Sequence, residues 1–302
     1  MPTGELTVVV FYDENGNGGL DPQEQVRLTD VEVRLSGQTL QTFPGSGHVI
    51  FESLRDGQHM VSIQGGLPPF YVAPPPVQVT IPRGDPLNLP VTLPIASNSP
   101  NRYLAFGDSI TDGHRSTDGS GWVGPIDGML RAYFGVAEVI KDAVPATRSH
   151  NAADRIAASL AAHRPAYTLV MYGINDYNDP DCRRNPPCFT IDSLRSVVQD
   201  VKAAGSLPFL ATITPSNTYY DFRAPPYRNE LSASMNVLLR EMAAEEGAVL
   251  VDLEAAFLAF GPPNESGLLY DHVHPNDAGY QLVAETFFEA LIHAQTPAAA
   301  WR

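Results

Sequence analysis

Apolar positions along this chain follow two different periods. Over residues 1–95 they alternate, in "LTVVVFY", "VEVRL", "HVIFE", "HMVSIQ", "VQVTI" and "LPVTL". Alternation puts one face of an extended strand in a core and the other in water, and short turn segments separate the runs. The segment is therefore predicted to be an all-β sandwich with no helix. The stretch "LPIASNSPN", residues 93–101, is small, polar and flanked by proline. It predicts a linker, placed at 96–101.

From residue 102 the pattern becomes strand then helix. The strand candidates "RYLAF", "AEVIKDA", "YTLVMYG", "LPFLATI" and "AVLVDL" are separated by "GWVGPIDGMLRAYF", "AADRIAASLAAH", "IDSLRSVVQDVKAAG" and "RNELSASMNVLLREMAAEEG". Gly205 and Gly247 stand where helix C-caps are expected. Five such units predict an α/β fold over residues 102–296, a five-stranded parallel sheet in a three-layer α/β/α sandwich, with a tail at 297–302. Sites in that architecture form at the carboxyl ends of the strands, where Ser109, Asn175 and Thr214 fall. No internal repeat is evident.

Composition narrows the partners. Net charge is −15, and Lys141 and Lys202 are the chain's two lysines. So acidic a chain is poorly suited to nucleic acid or an anionic membrane, because it has few cations to replace phosphate counterions. No apolar run reaches the roughly 18 residues of a membrane span. The opening "MPTGELTVVV" has no basic start and no cleavage site, and its apolar part reads as a strand, so no signal peptide is visible in it. Cys182 and Cys188 lie in "DPDCRRNPPCFT". This spacing suits a small disulfide-closed loop, which points to an oxidising compartment; a zinc site would need two further ligands, and free thiols are the third reading.

Chemistry concentrates in three short stretches. "GDSIT" (107–111) puts Ser109 in a tight turn after an apolar strand. "GIND" (173–176) brings Asn175 to the same sheet edge, where its amide either donates to a developing oxyanion or closes an Asx-turn. "YDHVHPND" (270–277) holds Asp271 and His274 three apart on a loop. That spacing lets the carboxylate turn back onto Nδ1 of the imidazole and leaves Nε2 to take a proton from serine. His272 is the competing base, and Asp271, His272 and His274 together are a metal alternative. Asp108 and Asp176 read as braces of their turns. His114, His150 and His163 are by default core or surface histidines.

With these residues in order, the chain from about 102 to 296 resembles the SGNH/GDSL hydrolases, serine esterases on a flavodoxin-like α/β/α sandwich. The resemblance implies that Ser109 is the nucleophile, His274 the base, Asp271 its partner, and Asn175 an oxyanion donor. It also implies that no cofactor enters catalysis. One block departs. The family usually carries a glycine after the second strand whose N–H completes the oxyanion hole, whereas this chain has Ala146 preceded by Pro145. The expected hole is then Ser109 N–H, Ala146 N–H and the Asn175 amide.

The loop "DENGNGGLDPQE", residues 13–24, satisfies D-x-[DN]-x-[DN]-G-x5-E. Asp13, Asn15 and Asn17 supply oxygens, Gly18 the sharp turn, Gly19 a carbonyl, and Asp21 and Glu24 carboxylates, the set a Ca²⁺ loop uses. A polar hairpin loop is the plain alternative. Residues 5–93 resemble the B-repeat (Cna-B-like) domains of bacterial surface adhesins, which implies a calcium-stiffened spacer or adhesive module. The whole is expected to be a secreted or surface-attached esterase acting on short-chain acyl esters, acetyl groups on carbohydrate among them, with a small-molecule or polysaccharide substrate and polysaccharide or surface contact through the first domain. Tyr219, Tyr220, Phe222 and Tyr227 either stack on a sugar or pack their own loop. The rival expectation is an adhesion protein on an impaired hydrolase fold, with Ala146 as its sign.

Overall fold

The structure is a computed structural model and describes residues 3–220 and 227–296. Phe222 and the tail at 297–302 lie outside the described residues. The chain divides into two compact units, 1–94 with 130–137, and 95–129 with 138–302.

The stretch up to residue 94 is built from strands: β1 (Thr3–Tyr12), β2 (Glu32–Leu35), β3 (Gln38–Gln41), β4 (His48–Arg55), β5 (Gly57–Gly65), β6 (Val77–Ile81) and β7 (Leu87–Val91). They form two sheets, in the orders β4-β1-β7 and β3-β2-β5-β6. All pairs are antiparallel except β1 with β7, which run parallel. The alternation behaves as read: Val33 and Leu35 are buried while Arg34 between them is exposed, and Val79 and Ile81 are buried around an exposed Thr80. The pattern missed β3, because all four of its residues are exposed and it has no apolar face to alternate. The loop at 13–24 follows β1 directly.

After residue 94 the chain runs through β8 (Ser99–Gly107), α1 (Ser109–Asp112), α2 (Val123–Phe134), whose end from residue 130 belongs to the first unit, β9 (Glu138–Ala143), α3 (Ser149–His163) and β10 (Pro165–Met171). It continues through α4 (Pro180–Arg184), α5 (Thr190–Ala203), β11 (Leu207–Ala211), α6 (Tyr227–Glu246), β12 (Val249–Val251), α7 (Leu253–Ala259) and α8 (Asp277–His293). The sheet order is β12-β11-β10-β8-β9, every pair parallel. Counted within the unit, this is the order 2-1-3-4-5 of flavodoxin-like sheets. Every residue of β10 and β11 is buried, as expected for central strands covered on both faces.

One boundary is corrected. Residues 99–101, expected in the linker, are already strand: Ser99 pairs with Pro165, and its N–H donates to the Arg164 carbonyl at 2.8 Å. Backbone pairing with a neighbouring strand outweighs the small polar side chains that suggested a linker. The glycine stops hold, with Gly205 and Gly247 both left-handed at φ 72° and 71°.

The chain leaves β8 and turns outward to one edge of the sheet, then crosses back between β9 and β10 to the other. The carboxyl ends of β8 and β10 therefore flank the point where the winding reverses, the crevice where open α/β sheets bind ligands.

Candidate active site

Ser109 is the first residue of α1, immediately after β8. The turn is tight for a local reason. A Cβ on Gly107 would come within 2.0 Å of Thr111 Oγ1, so this position requires glycine. The Asp108 side chain caps the short helix, its Oδ1 accepting the Ile110 N–H at 3.0 Å. Asp108 thus braces the turn, as expected.

Asp271 and His274 lie on the loop before α8, whose N-cap Asn276 accepts the Gly279 N–H. Asp271 Oδ1 accepts the backbone N–H groups of Val273 (3.0 Å) and His274 (2.8 Å), so the loop folds back on its own carboxylate. His274 Nδ1 lies 2.9 Å from Asp271 Oδ2 and 3.1 Å from Oδ1. On the far side of the ring, Nε2 lies 3.0 Å from Ser109 Oγ. A continuous hydrogen-bond chain thus joins a carboxylate, an imidazole and a serine hydroxyl across 165 residues of sequence. Burial, the largest single influence, pushes the Asp271 carboxyl up; the hydrogen bonds from the His274 ring and from the His274 and Val273 amides outweigh it and hold the carboxyl well below the usual range. Asp271 therefore remains an anion able to balance an imidazolium.

His272 is not in that chain: its Nδ1 stands 3.8 Å from Asp271 Oδ1. Among the described residues no group of three or more His, Cys, Asp or Glu side chains is gathered to hold a metal. The His274 ring is committed to Asp271 and Ser109, an arrangement that fits the base reading and not the metal reading of Asp271, His272 and His274.

Ala146 follows β9 with φ 62°, the left-handed region that favours glycine. This is the physical trace of the glycine the sequence lacks. The methyl group costs of order 1–2 kcal/mol there, but the N–H survives. The N–H groups of Ser109 and Ala146 have no protein acceptor among the described residues. Asn175 is different. Its amide donates to Asp108 Oδ2 at 3.2 Å and to the Thr147 carbonyl at 3.1 Å, so both amide hydrogens are engaged.

The surroundings lock these loops together. Arg155 of α3 donates to the Tyr172 hydroxyl and to the carbonyls of Asp142 and Gly107, tying together the ends of β8, β9 and β10. Asp176, fully buried, accepts from the Ser149 N–H, the Ser149 hydroxyl and the Thr190 hydroxyl, which anchors α3 and α5 beneath Asn175. Cys182 and Cys188 form a disulfide, with Cα atoms 4.8 Å apart, in the segment after Asn175. Both sulfurs are consumed, which removes the zinc alternative.

Several neighbours of the site carried no assigned role in the sequence, and His114, expected to be an ordinary core or surface histidine, is one of them. The His114 ring lies 4.6 Å from that of His274, and its carbonyl accepts the Tyr280 hydroxyl at 2.6 Å. Burial, with His274 and Arg115 nearby, holds the His114 imidazole low, so it favours the neutral form. Arg115 Nε lies 3.6 Å from Asp271 Oδ2, and its guanidinium lies over the Tyr270 ring. Both His114 and Arg115 belong to the tract "HRSTDGSG", whose polarity carries no register. Thr214 follows the carboxyl end of β11, as expected, and is buried there. Tyr219, Tyr220 and Tyr227 are all exposed.

In the loop at 13–24, Asp13 and Glu24 are buried at its two ends. Asp13 accepts the N–H groups of Gly16, Asn17 and Gly18; Glu24 accepts those of Glu14 and Asp21. The side-chain NH₂ groups of Asn15 and Asn17 both donate to Asp21 Oδ2. Gly19 contributes its N–H to Asn17 Oδ1. The loop's oxygens are thus satisfied internally. No Lys or Arg side chain forms an ion pair with Asp13, Asp21 or Glu24 among the described residues.

Comparison with known proteins bears on the second unit. A family model described as the GDSL-like Lipase/Acylhydrolase family matches residues 105–282, which contain all three chemical blocks. The chain is 24% identical over 204 residues to the thioesterase 1/protease 1/lysophospholipase L1 of Escherichia coli (strain K12), covering 67% of this chain and 88% of that protein. It is 26% identical over 222 residues to the acetylxylan esterase of Geobacillus stearothermophilus, covering 64% and 94%. The crystal structure of that esterase superposes with a TM-score of 0.53 at 22% identity, over 66% of this chain and 96% of that one. The lipase/acylhydrolase of Enterococcus faecalis gives 0.52 at 19%, over 63% and 94%. These likenesses extend the fold assignment of residues 102–296 beyond the strand order alone.

Proposed function

The chain belongs to the GDSL-like lipase/acylhydrolase family and is a carboxylic ester hydrolase, and on that premise we propose that Ser109 is its nucleophile, His274 its general base and Asp271 the residue that orients His274. Ser109 Oγ attacks the ester carbonyl carbon while Nε2 of His274 takes the hydroxyl proton. Asp271 balances the imidazolium. The carbonyl oxygen becomes an oxyanion between the N–H groups of Ser109 and Ala146, with the Asn175 amide as third donor. Collapse expels the alcohol, which takes the proton from Nε2. Water then enters along the same path, loses a proton to His274, and releases the acid and free Ser109.

The single observation that carries this reading is the hydrogen-bond chain from Asp271 through His274 to Ser109. It is tested by turnover of p-nitrophenyl acetate and by covalent labelling with an organophosphonate. Both should be lost in Ser109→Ala. Labelling at another serine would sink the assignment. The sign of an impaired hydrolase, Ala146, does not weigh heavily, because the alanine keeps the N–H that the mechanism uses.

The substrate we propose is a short-chain acyl ester, with an acetyl group on a carbohydrate as the leading case. A relative is named an acetylxylan esterase, and the exposed Tyr219, Tyr220 and Tyr227 offer rings for a sugar face. Residues 1–95 we read as a B-repeat-like sandwich, a spacer or surface-contact module of a secreted protein. The disulfide supports an oxidising compartment, and among the described residues no helix is long and apolar enough to cross a membrane.

Calcium in that module is part of the same proposal. The donor set fits a hard cation, being all oxygen: Asp13, Asn15, Asn17, Asp21 and Glu24 side chains and the Gly19 carbonyl. The two Asn NH₂ groups now lean on Asp21 Oδ2. Rotating each amide would present its oxygen instead and leave Asp21 to the cation. The ion would stiffen the loop and take no part in ester hydrolysis.

A further inference from the structure

Asp108 is a buried carboxyl that the hydrolytic cycle does not use. It is 1% exposed and directly precedes the nucleophile. It forms no ion pair among the described residues, and its carboxylate accepts from two neutral N–H groups, those of Ile110 and Asn175. Asn175 has two amide hydrogens, and the second is held by the Thr147 carbonyl. A substrate oxygen therefore finds both donors of Asn175 already engaged. One must be given up before the side chain can serve an oxyanion.

We propose that Asp108 is a positioning residue of this site: its carboxylate competes with the substrate oxygen for one amide hydrogen of Asn175, and protonating the carboxyl releases that hydrogen to the reaction. This rests on Ser109 being the nucleophile.

The competition follows from hydrogen-bond strength. An ionised acceptor holds an N–H roughly twice as strongly as a neutral one. An ionised Asp108 also places a like charge beside the growing oxyanion in a site of low polarisability. The neutral acid does neither, and its O–H needs an acceptor of its own. The structure provides one side for it. A cavity of ≈ 10 Å³ is lined by Asp108 and Thr214 among others, and Thr214 Oγ1 is buried without a hydrogen-bond partner among the described residues. That is at the lower edge of the roughly 10–15 Å³ a cavity needs to hold one water. The carboxyl thus contacts Asn175, and Asp108 shares the lining of a small cavity with an unpartnered hydroxyl.

The groups that act on Asp108 also favour a neutral acid near neutral pH. Burial is the largest influence and pushes its carboxyl up to about 7; the Ile110 N–H and His274 pull it down, and Asp176 pushes it up. Tyr172 and Tyr280 also sense its charge, and both are held as neutral phenols, chiefly by burial.

The test is the pH dependence of kcat for p-nitrophenyl acetate in the full chain. In the wild type, kcat should fall as pH rises above neutrality, by about tenfold or more between pH 7 and pH 9 if the loss approaches that of one oxyanion donor. KM should change little, because the competition is felt when charge develops. Asp108→Asn cannot ionise, so its ratio of kcat at pH 9 to pH 7 should be near one. Asn175→Ala keeps Asp108 but removes the contested hydrogen, so the alkaline fall in its weaker residual activity should shrink to the part that repulsion by the ionised carboxylate alone causes. This variant decides the matter if Asp108→Asn does not fold. A wild type without the fall, an Asp108→Asn that keeps it, or an Asn175→Ala that keeps it undiminished overturns the proposal. Ser109→Ala in the same assay separates the two readings: if it remains active, the nucleophile is wrong; if it is dead while Asn175→Ala keeps the fall undiminished, only the role of Asp108 is lost.

Discussion

The loops at 13–24 and at 270–277 use the same local device for different ends. In each, an aspartate folds the chain back onto itself by accepting backbone N–H groups: Gly16, Asn17 and Gly18 for Asp13, Val273 and His274 for Asp271. Around Asp13, what remains is closed by other side chains and amides of the same loop. Around Asp271, one residue of the turn is a histidine, and its ring carries the carboxylate's influence on to a serine on a different element. An acidic turn is therefore a structural unit in itself. Around Asp271 the fold adds a serine hydroxyl at the open side of the histidine.

Replacing either end of the second device should produce the largest effect. Ser109→Ala and His274→Ala should each lower kcat by about 10⁴-fold or more, and the double variant should lose little beyond either, because the residues act as one unit. His272→Ala should stay within a few-fold of wild type. Steady-state kinetics on p-nitrophenyl acetate reads all four, and an inactive His272→Ala beside an active His274→Ala would make His272 the base. Next in size is Asn175→Ala, expected to cost about 10²–10³ in kcat, the scale of one oxyanion donor. An unchanged rate would mean that Ser109 and Ala146 N–H suffice.

The first loop should respond in stability and not in rate. Asp13→Ala leaves the Gly16 and Gly18 N–H groups without their acceptor, while Asn17 N–H keeps Asn15 Oδ1, so a loss of about 1–3 kcal/mol is expected in thermal unfolding. If the loop takes calcium, a chelator should lower the melting temperature, since an ion at one hundred times its dissociation constant stabilises by about 2.7 kcal/mol. Glu24→Gln should remove that response. Ester hydrolysis at a temperature where the chain stays folded should be unaffected. Loss of rate on chelation would erase the contrast between the loops.

Acid sharpens it further. Asp271 is held well below the usual carboxylate range in the folded chain. Its contacts therefore contribute stability above pH ~4, the unfolded value, and that contribution is lost as pH falls through the folded value. Asp108 has the opposite sign. Its folded value is raised to about 7, so the folded state keeps a proton that the unfolded chain has released, and stability declines as pH rises from about 4 to about 7. Melting temperature against pH for Asp271→Asn and Asp108→Asn should flatten the acid and the near-neutral segments respectively. The smallest change is expected at Ala146→Gly. Relief of the left-handed alanine and the greater freedom of unfolded glycine nearly cancel, leaving stability within about 1 kcal/mol. The rate should move by no more than about fivefold; a larger loss would give the methyl group a role of its own.

Much of this arrangement was legible beforehand because it depends on local order. Alternation marked most of the strands up to residue 94, and failed at β3, where every residue faces water. Strand-then-helix periods marked the parallel sheet, while the short helices α1, α4 and α7 went unseen because four to seven residues carry too little periodicity. Cys182 and Cys188 are close enough along the chain for their pairing to be a local matter. Arg115 and His114 sit in a tract without pattern, so their place beside Asp271 and His274 had no signal.

By itself the sequence determined which side chains were available and what each could meet within a few residues: Asp271 with His274 three positions on, Asp13 with the amides that follow it, a serine at the end of an apolar strand. Only the tertiary structure decided that His274 Nε2 stands 3.0 Å from Ser109 Oγ, that Asn175 spends its hydrogens on Asp108 and Thr147, and that Ala146 is held left-handed. The reason is geometric. Parallel pairing sends the carboxyl ends of β8, β9 and β10 to one edge of the sheet, so residues far apart along the chain meet there at hydrogen-bond distance, a length set by packing and not by spacing in sequence.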